Sequence, residues 1–295
     1  EQRVQTPDRL QRDRGDRFAF LAFPDGFLDV SQFEEAPPRM GEAKCRRDRQ
    51  GLPLRVEQRL EAIVAVGLQD AGEGGQMLLR MLAASVPVYT TWDDHDYFHN
   101  DGAGIPKGYT DADRKGVRAV FMNSWANPSY GFNDDRGGIF LRTRIGPADV
   151  IMVDNRYFRT GEPGSFLGPE QMKWLKQQLL ACKGPFIVLS CGTMWSDYIT
   201  AGKDSWGKND PQGREDLFQF IETNRIGGVL LCSGDRHGAR GFTIARPSGF
   251  KFYEFEPGSL GGRRGPEALA KDQTNQLFGL AHRYCFGEFT FDAAP

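Results

Sequence analysis

The chain has 295 residues, 39% of them hydrophobic and 12% aromatic, so it is long enough to bury a large core. Lys and Arg number 37 against 39 Asp and Glu, and this near balance gives no net basic surface for nucleic acid. No apolar run approaches the length of a transmembrane span, the N-terminus is too polar for a signal peptide, and the five cysteines lack the spacing of a zinc ribbon.

The predicted elements begin with a strand over 18–23 and a helical candidate over 54–66. β-branched residues predict a further strand over 86–91. From there strands and helices alternate, with strands predicted over 149–154, 186–190, 229–233 and 286–292 and helices over 168–179 and 214–224. Such alternation is typical of an α/β fold, in which the residues that follow several strands form one site.

An acidic segment, WDDHD over 92–96, follows the strand over 86–91. Because successive residues in a tight turn point in different directions, Asp94 can bind a cation while His95 faces a substrate. Asp96 can then orient the imidazole through a hydrogen bond. The alternative is an acidic turn, exposed to solvent, that caps the next helix through its side chains. We favour the metal site because a cap needs one aspartate and this segment has three.

A second polar segment, SGDRHG over 233–238, follows another apolar strand. His237 can reach a metal through its imidazole, and Asp235 can supply a further oxygen or fix the ring. The alternative is a histidine in a surface turn. Carboxylates mixed with imidazole suit hard or borderline cations such as Fe, Mn, Zn or Ca. Two such ions about 4 Å apart would stabilise an in-line phosphoryl displacement.

From about residue 86 to the C-terminus the chain resembles the PhoD-like phosphatases, the alkaline phosphatase D branch of the metallophosphoesterases. The motifs that carry the resemblance are TWDDHDYFHND (91–101), VDNRYFR (153–159), LGPEQMKWLKQQL (167–179), DSW (204–206), SGDRHGA (233–239) and YEFEPGSL (253–260). The resemblance implies an α/β metallophosphoesterase fold, with two β-sheets sandwiched between helices and metals at the strand ends. It also implies hydrolysis of phosphate mono- or diesters and a periplasmic or secreted location.

The resemblance implies roles for individual residues in the metal site. Asp94 takes the place of the metal-binding Asn in the superfamily's Gly-Asn-His-Asp/Glu motif, and His95 takes that of its transition-state histidine. His237 matches a late metal-ligand histidine. Asn100 is a further candidate ligand. Two divalent or trivalent ions are therefore the expected cofactors, their identity left open among Fe, Ca, Mn and Zn.

The N-terminal part departs from the family pattern, which has an early Asp motif and then a Gly-Asp-x-x-Tyr motif that supplies a bridging Asp. The segment FLAFPDGFLD over 20–29 occupies the second position, so Asp25 would be the bridging carboxylate. Pro24 replaces the Gly, however, and Leu28 replaces the Tyr, so an ordinary Asp-Gly turn is the alternative. We predict one domain over 1–295, with an atypical segment over 1–80 that lacks the first family motif.

The leading hypothesis is a phosphoric ester hydrolase that uses a metal-activated hydroxide, with His95 as the group that protonates the leaving group. Arg156 and Arg159 would pair with the substrate phosphate, although a surface salt bridge is an alternative for Arg159. A second hypothesis is a non-catalytic or weakly active relative that acts as a binding or structural module. A third, a cysteine hydrolase based on Cys191, lacks a supporting histidine motif.

Overall fold

The computed structural model describes the backbone of residues 16–22 and 62–66, and residues 86–196, 198, 204–258, 275–282 and 286–291 with their side chains. The strands in chain order are β1 (Asp16–Ala22), β2 (Ala62–Val66), β3 (Val88–Thr91), β4 (Leu141–Ile145), β5 (Ala148–Met152), β6 (Phe186–Ser190), β7 (Val229–Cys232), β8 (Ala239–Ala245), β9 (Lys251–Glu256), β10 (Gln276–Leu280) and β11 (Gly287–Phe291). The helices are α1 (Asp94–Tyr97), α2 (Asp111–Ser124), α3 (Pro169–Ala181), α4 (Trp206–Asn209) and α5 (Pro211–Thr223). None of these helices is long and apolar enough to cross a bilayer.

Within the described residues the strands form two sheets. One has the order β11-β1-β2-β3, with β1, β2 and β3 parallel and β11 antiparallel to β1. The other has the order β10-β8-β9-β7-β6-β5-β4. Its central strands β5, β6, β7 and β9 are parallel, and β4, β8 and β10 are antiparallel to their neighbours. This arrangement confirms the predicted α/β fold with two β-sheets.

The larger sheet is covered on both faces. Every residue of β5 is buried, as expected for a central strand between two layers. On one face Ile151 belongs to a core that includes Leu175 of α3 and Leu217 of α5. On the other face Val150 belongs to a core that includes Phe291 of β11. The helices α3 and α5 therefore cover one face, and the smaller sheet packs against the other.

Two helices begin at a proline, whose fixed φ suits the first helical turn. Helix α3 begins at Pro169, after Gly168 with a φ of 72°. Helix α5 begins at Pro211, after Asp210, whose side chain accepts a hydrogen bond from the Gly213 backbone N–H at 2.9 Å. This cap explains why α5 begins three residues before the predicted start at 214.

The predicted helix over 54–66 is wrong for residues 62–66, which form β2. The backbone of β2 pairs in parallel with β1 on one side and β3 on the other. The sequence AIVAV is rich in β-branched residues that favour extended backbone, and pairing on both sides fixes that conformation. Residues 54–61 lie outside the described part of the chain.

The carboxyl ends of the parallel strands β5, β6, β7 and β9 lie at one edge of the larger sheet. Two contacts join the end of β3 to the same edge. Thr91 Oγ1 donates a hydrogen bond to the Val153 carbonyl at 3.1 Å, and Trp92 Nε1 donates to Asp154 Oδ1 at 2.8 Å. The polar segments that follow β3, β5, β6 and β7 therefore meet there, as the strand-end argument predicted.

Candidate metal centre

Three carboxylates meet at this edge, and they form the candidate metal centre. One ligand atom each from Asp93, Asp94 and Asp235 lies within 4.8 Å of the others, the single such group found among the described residues. Asp93 and Asp94 are buried, and the Asp235 side chain is 18% exposed. Closely spaced carboxylate oxygens are the ligands that hard cations prefer. Asp94 and Asp235 were predicted as ligands, whereas Asp93 was not.

An aromatic side chain anchors the acidic segment to the fold. Trp92 is fully buried, and its ring centroid lies 4.9 Å from that of Tyr97 and 5.1 Å from that of Phe121 in α2. The indole N–H donates to Asp154, so this buried polar group also has a partner. The residues that follow Trp92 therefore start from a fixed position.

Backbone hydrogen bonds orient the Asp94 carboxylate. Its Oδ1 accepts from the His95 N–H at 2.8 Å, and its Oδ2 accepts from the Asp101 N–H at 2.7 Å. Asp96 Oδ2 accepts from the Asp93 N–H at 3.1 Å and so caps helix α1. Asp93 is the N-cap residue and forms a capping box with Asp96, as the alternative proposed, while Asp93 and Asp94 contribute to the cluster. The predicted contact of Asp96 with the His95 imidazole stays a prediction.

Arg156 lies behind the cluster and is fully buried. Its Nε and Nη2 donate to Asp93 Oδ1 at 2.9 and 2.6 Å, and its Nη1 lies 2.9 Å from Asp204 Oδ2. A guanidinium bonded in this way is a strong and directional partner for carboxylates. Both carboxylate partners of Arg156 belong to the protein, and its predicted direct contact with a phosphate stays a prediction. In this structure Arg156 orients Asp93.

Arg159 pairs with the same Asp204 through two hydrogen bonds of 2.8 Å and is 12% exposed. Burial raises the pKa of Asp204, but Arg159 and Arg156 together lower it below its ordinary value, so this carboxylate is ionised. Arg159 also lines a cavity of about 770 Å³. The partner of Arg159 is thus a buried carboxylate and not a surface one, and its predicted contact with substrate stays a prediction.

The segment after β7 carries Asp235 and His237 in the left-handed region, with φ values of 80° and 58°. Non-glycine residues rarely adopt this conformation unless the surroundings hold them there. A buried ion pair between Glu256 and Arg240 holds this segment in place through the backbone of Arg236. Glu256 Oε1 accepts a hydrogen bond from the Arg236 N–H at 2.7 Å, and Arg240 Nη1 donates to the Arg236 carbonyl at 3.0 Å. His237 is half-buried and does not belong to the carboxylate group. Its role as a ligand stays a prediction.

Other predicted residues lie elsewhere. Asn100 is exposed, and its Nδ2 donates to Asp101 Oδ2 at 2.7 Å, so its role as a ligand stays a prediction. Asp25 lies outside the described residues. Cys191 is fully buried, and burial raises the pKa of its thiol, so the neutral form prevails. A buried neutral thiol argues against the cysteine hydrolase hypothesis.

Two residues that the sequence analysis did not single out give the cluster room for a cation. Asn155 Oδ1 is buried without a hydrogen-bond partner among the described residues. A Cβ at Gly192 would lie 2.7 Å from Asp93 Oδ1 and 2.8 Å from Asn155 Oδ1. An unpartnered buried amide oxygen beside carboxylates fits a bound cation. Both residues follow parallel strands, β5 and β6, and this position is the signal by which they could have been found.

The charges of the cluster also favour a cation. Burial raises the pKa of Asp93 well above its ordinary value, although Arg156 opposes this, and burial together with the charge of Asp94 raises the pKa of Asp235 to about 7. A multivalent cation reverses both effects because it stabilises the ionised carboxylates. The donor set therefore fits a divalent or trivalent ion.

The raised pKa of Asp235 predicts how the stability of the metal-free protein depends on pH. The folded state binds this proton more tightly than the unfolded chain, in which the pKa is near 3.8. The contribution of Asp235 to stability is therefore intact below that value and is lost as the pH rises through about 7. We expect the free energy of unfolding to fall between pH 5 and pH 8, and to fall less in Asp235→Asn. Equal pH dependence of the two proteins in urea unfolding would contradict this.

Gly192 provides a second test of the centre. Gly192→Ala would place a methyl group 2.6 Å from the Trp92 carbonyl and against the Asp93 carboxylate. We expect it to destabilise the protein by about 1–3 kcal/mol, the usual cost of overpacking, and to weaken metal binding in calorimetric titration. The control is Gly227→Ala, because a Cβ there meets nothing within 4 Å. Equal metal affinity in both variants would place the ion away from Gly192.

Comparisons with known proteins agree with this fold. A family model described as PhoD-like phosphatase matches residues 75–285, more than half of the chain. A solved structure described as "Structure of PhoD" is similar with a TM-score of 0.67 and 17% identity, over 94% of this chain and 64% of that one. A structure described as GAP50, the anchor in the inner membrane complex of Plasmodium, is similar with a TM-score of 0.50 and 13% identity, over 93% and 80% of the two chains.

These structural likenesses show the fold alone, since the identities are low. The chain spans 64% of the length of the PhoD structure, which is less than two thirds. No curated protein matches the chain significantly. The match of the family model over residues 75–285 is the finding that decides the family, and the six motifs quoted between residues 91 and 260 all lie within it. The chain belongs to the PhoD-like phosphatase family.

Proposed function

We propose that the protein is a metal-dependent phosphoric ester hydrolase whose metal centre is built on Asp93, Asp94 and Asp235. The observation that carries the proposal is the meeting of these carboxylates within 4.8 Å at the edge where four polar segments converge. Membership of the PhoD-like phosphatase family supports the same reaction class. The proposed substrates are phosphate monoesters or diesters. The proposed cofactor is one or two ions of Fe, Ca, Mn or Zn.

The residues divide into ligands and positioning groups. The three carboxylates and Asn155 Oδ1 would hold an ion, and His237 is the candidate ligand of a second one. When bound, such ions supply Lewis-acid polarisation of the phosphoryl oxygens and activation of water. Arg156 holds Asp93 in place from behind the cluster.

Two further side chains would act on the substrate. Arg159 lines the neighbouring cavity, where its guanidinium can approach an anionic phosphate while Asp204 fixes its orientation. His95 is exposed and directly follows Asp94 in the chain. We propose that it donates a proton or a hydrogen bond to the leaving oxygen.

The role of His95 predicts a separation of metal content from turnover. His95→Ala should retain the bound metal and lower turnover by about two to four powers of ten, the usual effect of losing a general acid. The matched control is His282→Ala, because His282 is exposed and lies on the turn after β10. Equal loss of metal and activity in His95→Ala, measured by elemental analysis and phosphate release, would make His95 a ligand instead.

The experiment that tests the function measures metal content and hydrolysis on the same sample. The purified protein is assayed on a chromogenic phosphate monoester and on the matching diester, then again after chelation and after metal is restored. Hydrolysis that disappears with chelation and returns with metal supports the proposal. A metal-loaded protein that hydrolyses neither ester would favour the alternative, a binding or structural module that is not catalytic.

A further inference from the structure

The structure contains a cavity of about 770 Å³ whose lining residues include Asp101 and Arg159. Two chain segments, 99–107 and 157–161, form most of its wall, together with Arg114 of α2. The Gly104 N–H donates to the Arg156 carbonyl at 2.8 Å, and a Cβ at Gly104 would lie 2.5 Å from the Arg159 carbonyl. The two segments therefore pack backbone against backbone, and the shape of the cavity is fixed by close contact.

Hydrogen bonds connect two residues of the cavity wall, Asp101 and Arg159, to the metal centre. The backbone N–H of Asp101 donates to Asp94 Oδ2 at 2.7 Å. Arg159 shares Asp204 with Arg156, which in turn holds Asp93. A phosphate ester bound at the carboxylates would therefore have the cavity next to it, with room for the group attached to the phosphate.

The charges of the lining side chains are mainly positive. Lys107, Arg114 and Arg159 line the cavity, and among the described lining residues Asp101 is the one carboxylate. Asp101 Oδ2 already accepts a hydrogen bond from Asn100. Ile105, which is 46% exposed, adds an apolar patch to the same wall. The lining thus suits a group that is partly apolar and carries a negative charge.

The three cationic side chains differ in how firmly contacts within the protein hold them. Arg159 donates to both oxygens of Asp204. Arg114 pairs with Asp111, and its Nη1 donates to the Tyr157 carbonyl at 3.2 Å. Lys107 is exposed on the segment between Pro106 and Gly108 and has three N–H donors. Lys107 is therefore the side chain best able to turn toward a bound anion.

We propose that this cavity binds a second anionic group of the substrate, such as a carboxylate carried by the leaving alcohol, through Lys107 with support from Arg114. The inference rests on the proposed function, because it places the scissile phosphate at the carboxylate cluster. It narrows the substrate class to phosphate esters whose alcohol part bears a negative charge.

The test compares two stable probes that differ in one charge. They are para-(carboxymethyl)benzylphosphonate and its uncharged amide, together with the homologous pairs whose arms are longer by one and by two methylene groups. Binding to the metal-containing protein is measured by calorimetry at low and at high salt. We expect the acid to bind about three- to tenfold more tightly than the amide for at least one arm length, with a ratio that falls as salt is added.

Variants of Lys107 test whether the preference for the acid probe arises in the cavity. In Lys107→Ala the ratio of acid to amide affinity should fall toward one, in Lys107→Glu it should invert, and Lys107→Arg should retain it. The matched control is Lys183→Ala, which removes an exposed lysine that precedes β6 at the opposite end of the sheet. Its ratio should equal that of the unmodified protein.

Three outcomes would overturn the inference: no preference for the acid at any arm length, a preference that survives Lys107→Ala and Lys107→Glu, or an equal loss in Lys183→Ala. The proposed function is read separately from the hydrolysis of phenyl phosphate. If the protein hydrolyses phenyl phosphate but shows no preference for the acid probe, the inferred anion site is wrong and the proposed function stands. If the protein prefers the acid probe but hydrolyses no ester, the anion site stands and the proposed function is wrong.

Discussion

Replacing Asp94 by alanine is expected to remove most metal binding and hydrolysis. The substitution deletes one of the three carboxylates and leaves the N–H groups of His95 and Asp101 without their acceptor. Loss of even a supporting group of a metal site lowers affinity by about ten- to a hundredfold, and loss of a ligand should exceed that. We expect turnover to fall by at least about a hundredfold. Metal affinity is measured by calorimetry and turnover by phosphate release.

A second variant, Asp94→Asn, separates the loss of the ligand oxygens from the loss of the whole side chain. Asp94→Asn keeps one ligand oxygen, so it should retain more metal and activity than Asp94→Ala. The control is Asp216→Asn, because Asp216 is exposed on α5 and pairs with Lys176 of α3, outside the carboxylate cluster. Asp94→Ala with normal metal content and turnover would remove Asp94 from the centre.

Replacing Arg156 by methionine is expected to produce the largest loss of stability. The variant leaves Asp93 buried without its guanidinium and removes one of the two arginines bound to Asp204. Breaking one side of a buried ion pair costs about 3–5 kcal/mol, because the remaining charge stays uncompensated. The free energy of unfolding is measured in urea on the metal-free protein, so that no bound ion compensates Asp93.

Two further variants control this prediction. Arg136→Met removes an exposed arginine that pairs with Asp134, and it should change the free energy of unfolding by less than about 1 kcal/mol. Arg156→Lys should be intermediate, because an ammonium group cannot reproduce the planar pair of bonds to Asp93. A loss in Arg156→Met no larger than that in Arg136→Met would show that Asp93 does not depend on its partner.

The ends of the strands were the most predictable part of the site. Apolar runs such as 186–190 and 229–233 end in polar residues, and parallel strands bring their carboxyl ends to one edge. The sequence therefore placed Asp94 and Asp235 in one site although they are far apart in the chain. The structure brings a ligand atom of each within 4.8 Å of the other.

Side-chain direction was not predictable at the same level. Asp93 and Asp94 are neighbours, and periodicity could not show that both contribute to the cluster while Asp96 caps α1. The burial of Arg156 was also missed, because it depends on Asp204, which lies 48 residues further along the chain. The helix prediction for residues 62–66 was wrong for a similar reason, because pairing with β1 and β3 fixes these residues as a strand.

The most direct test of the central claim is an anomalous-scattering map of the metal-loaded protein in crystals. We expect a peak within about 2.0–2.6 Å of oxygens from Asp93, Asp94 and Asp235, the range of protein–cation bonds. Soaking with Mn²⁺ gives the signal, and Asp94→Ala crystals soaked in the same way should lack it. A strong peak that is bound by other residues, with these three carboxylates empty, would contradict the account.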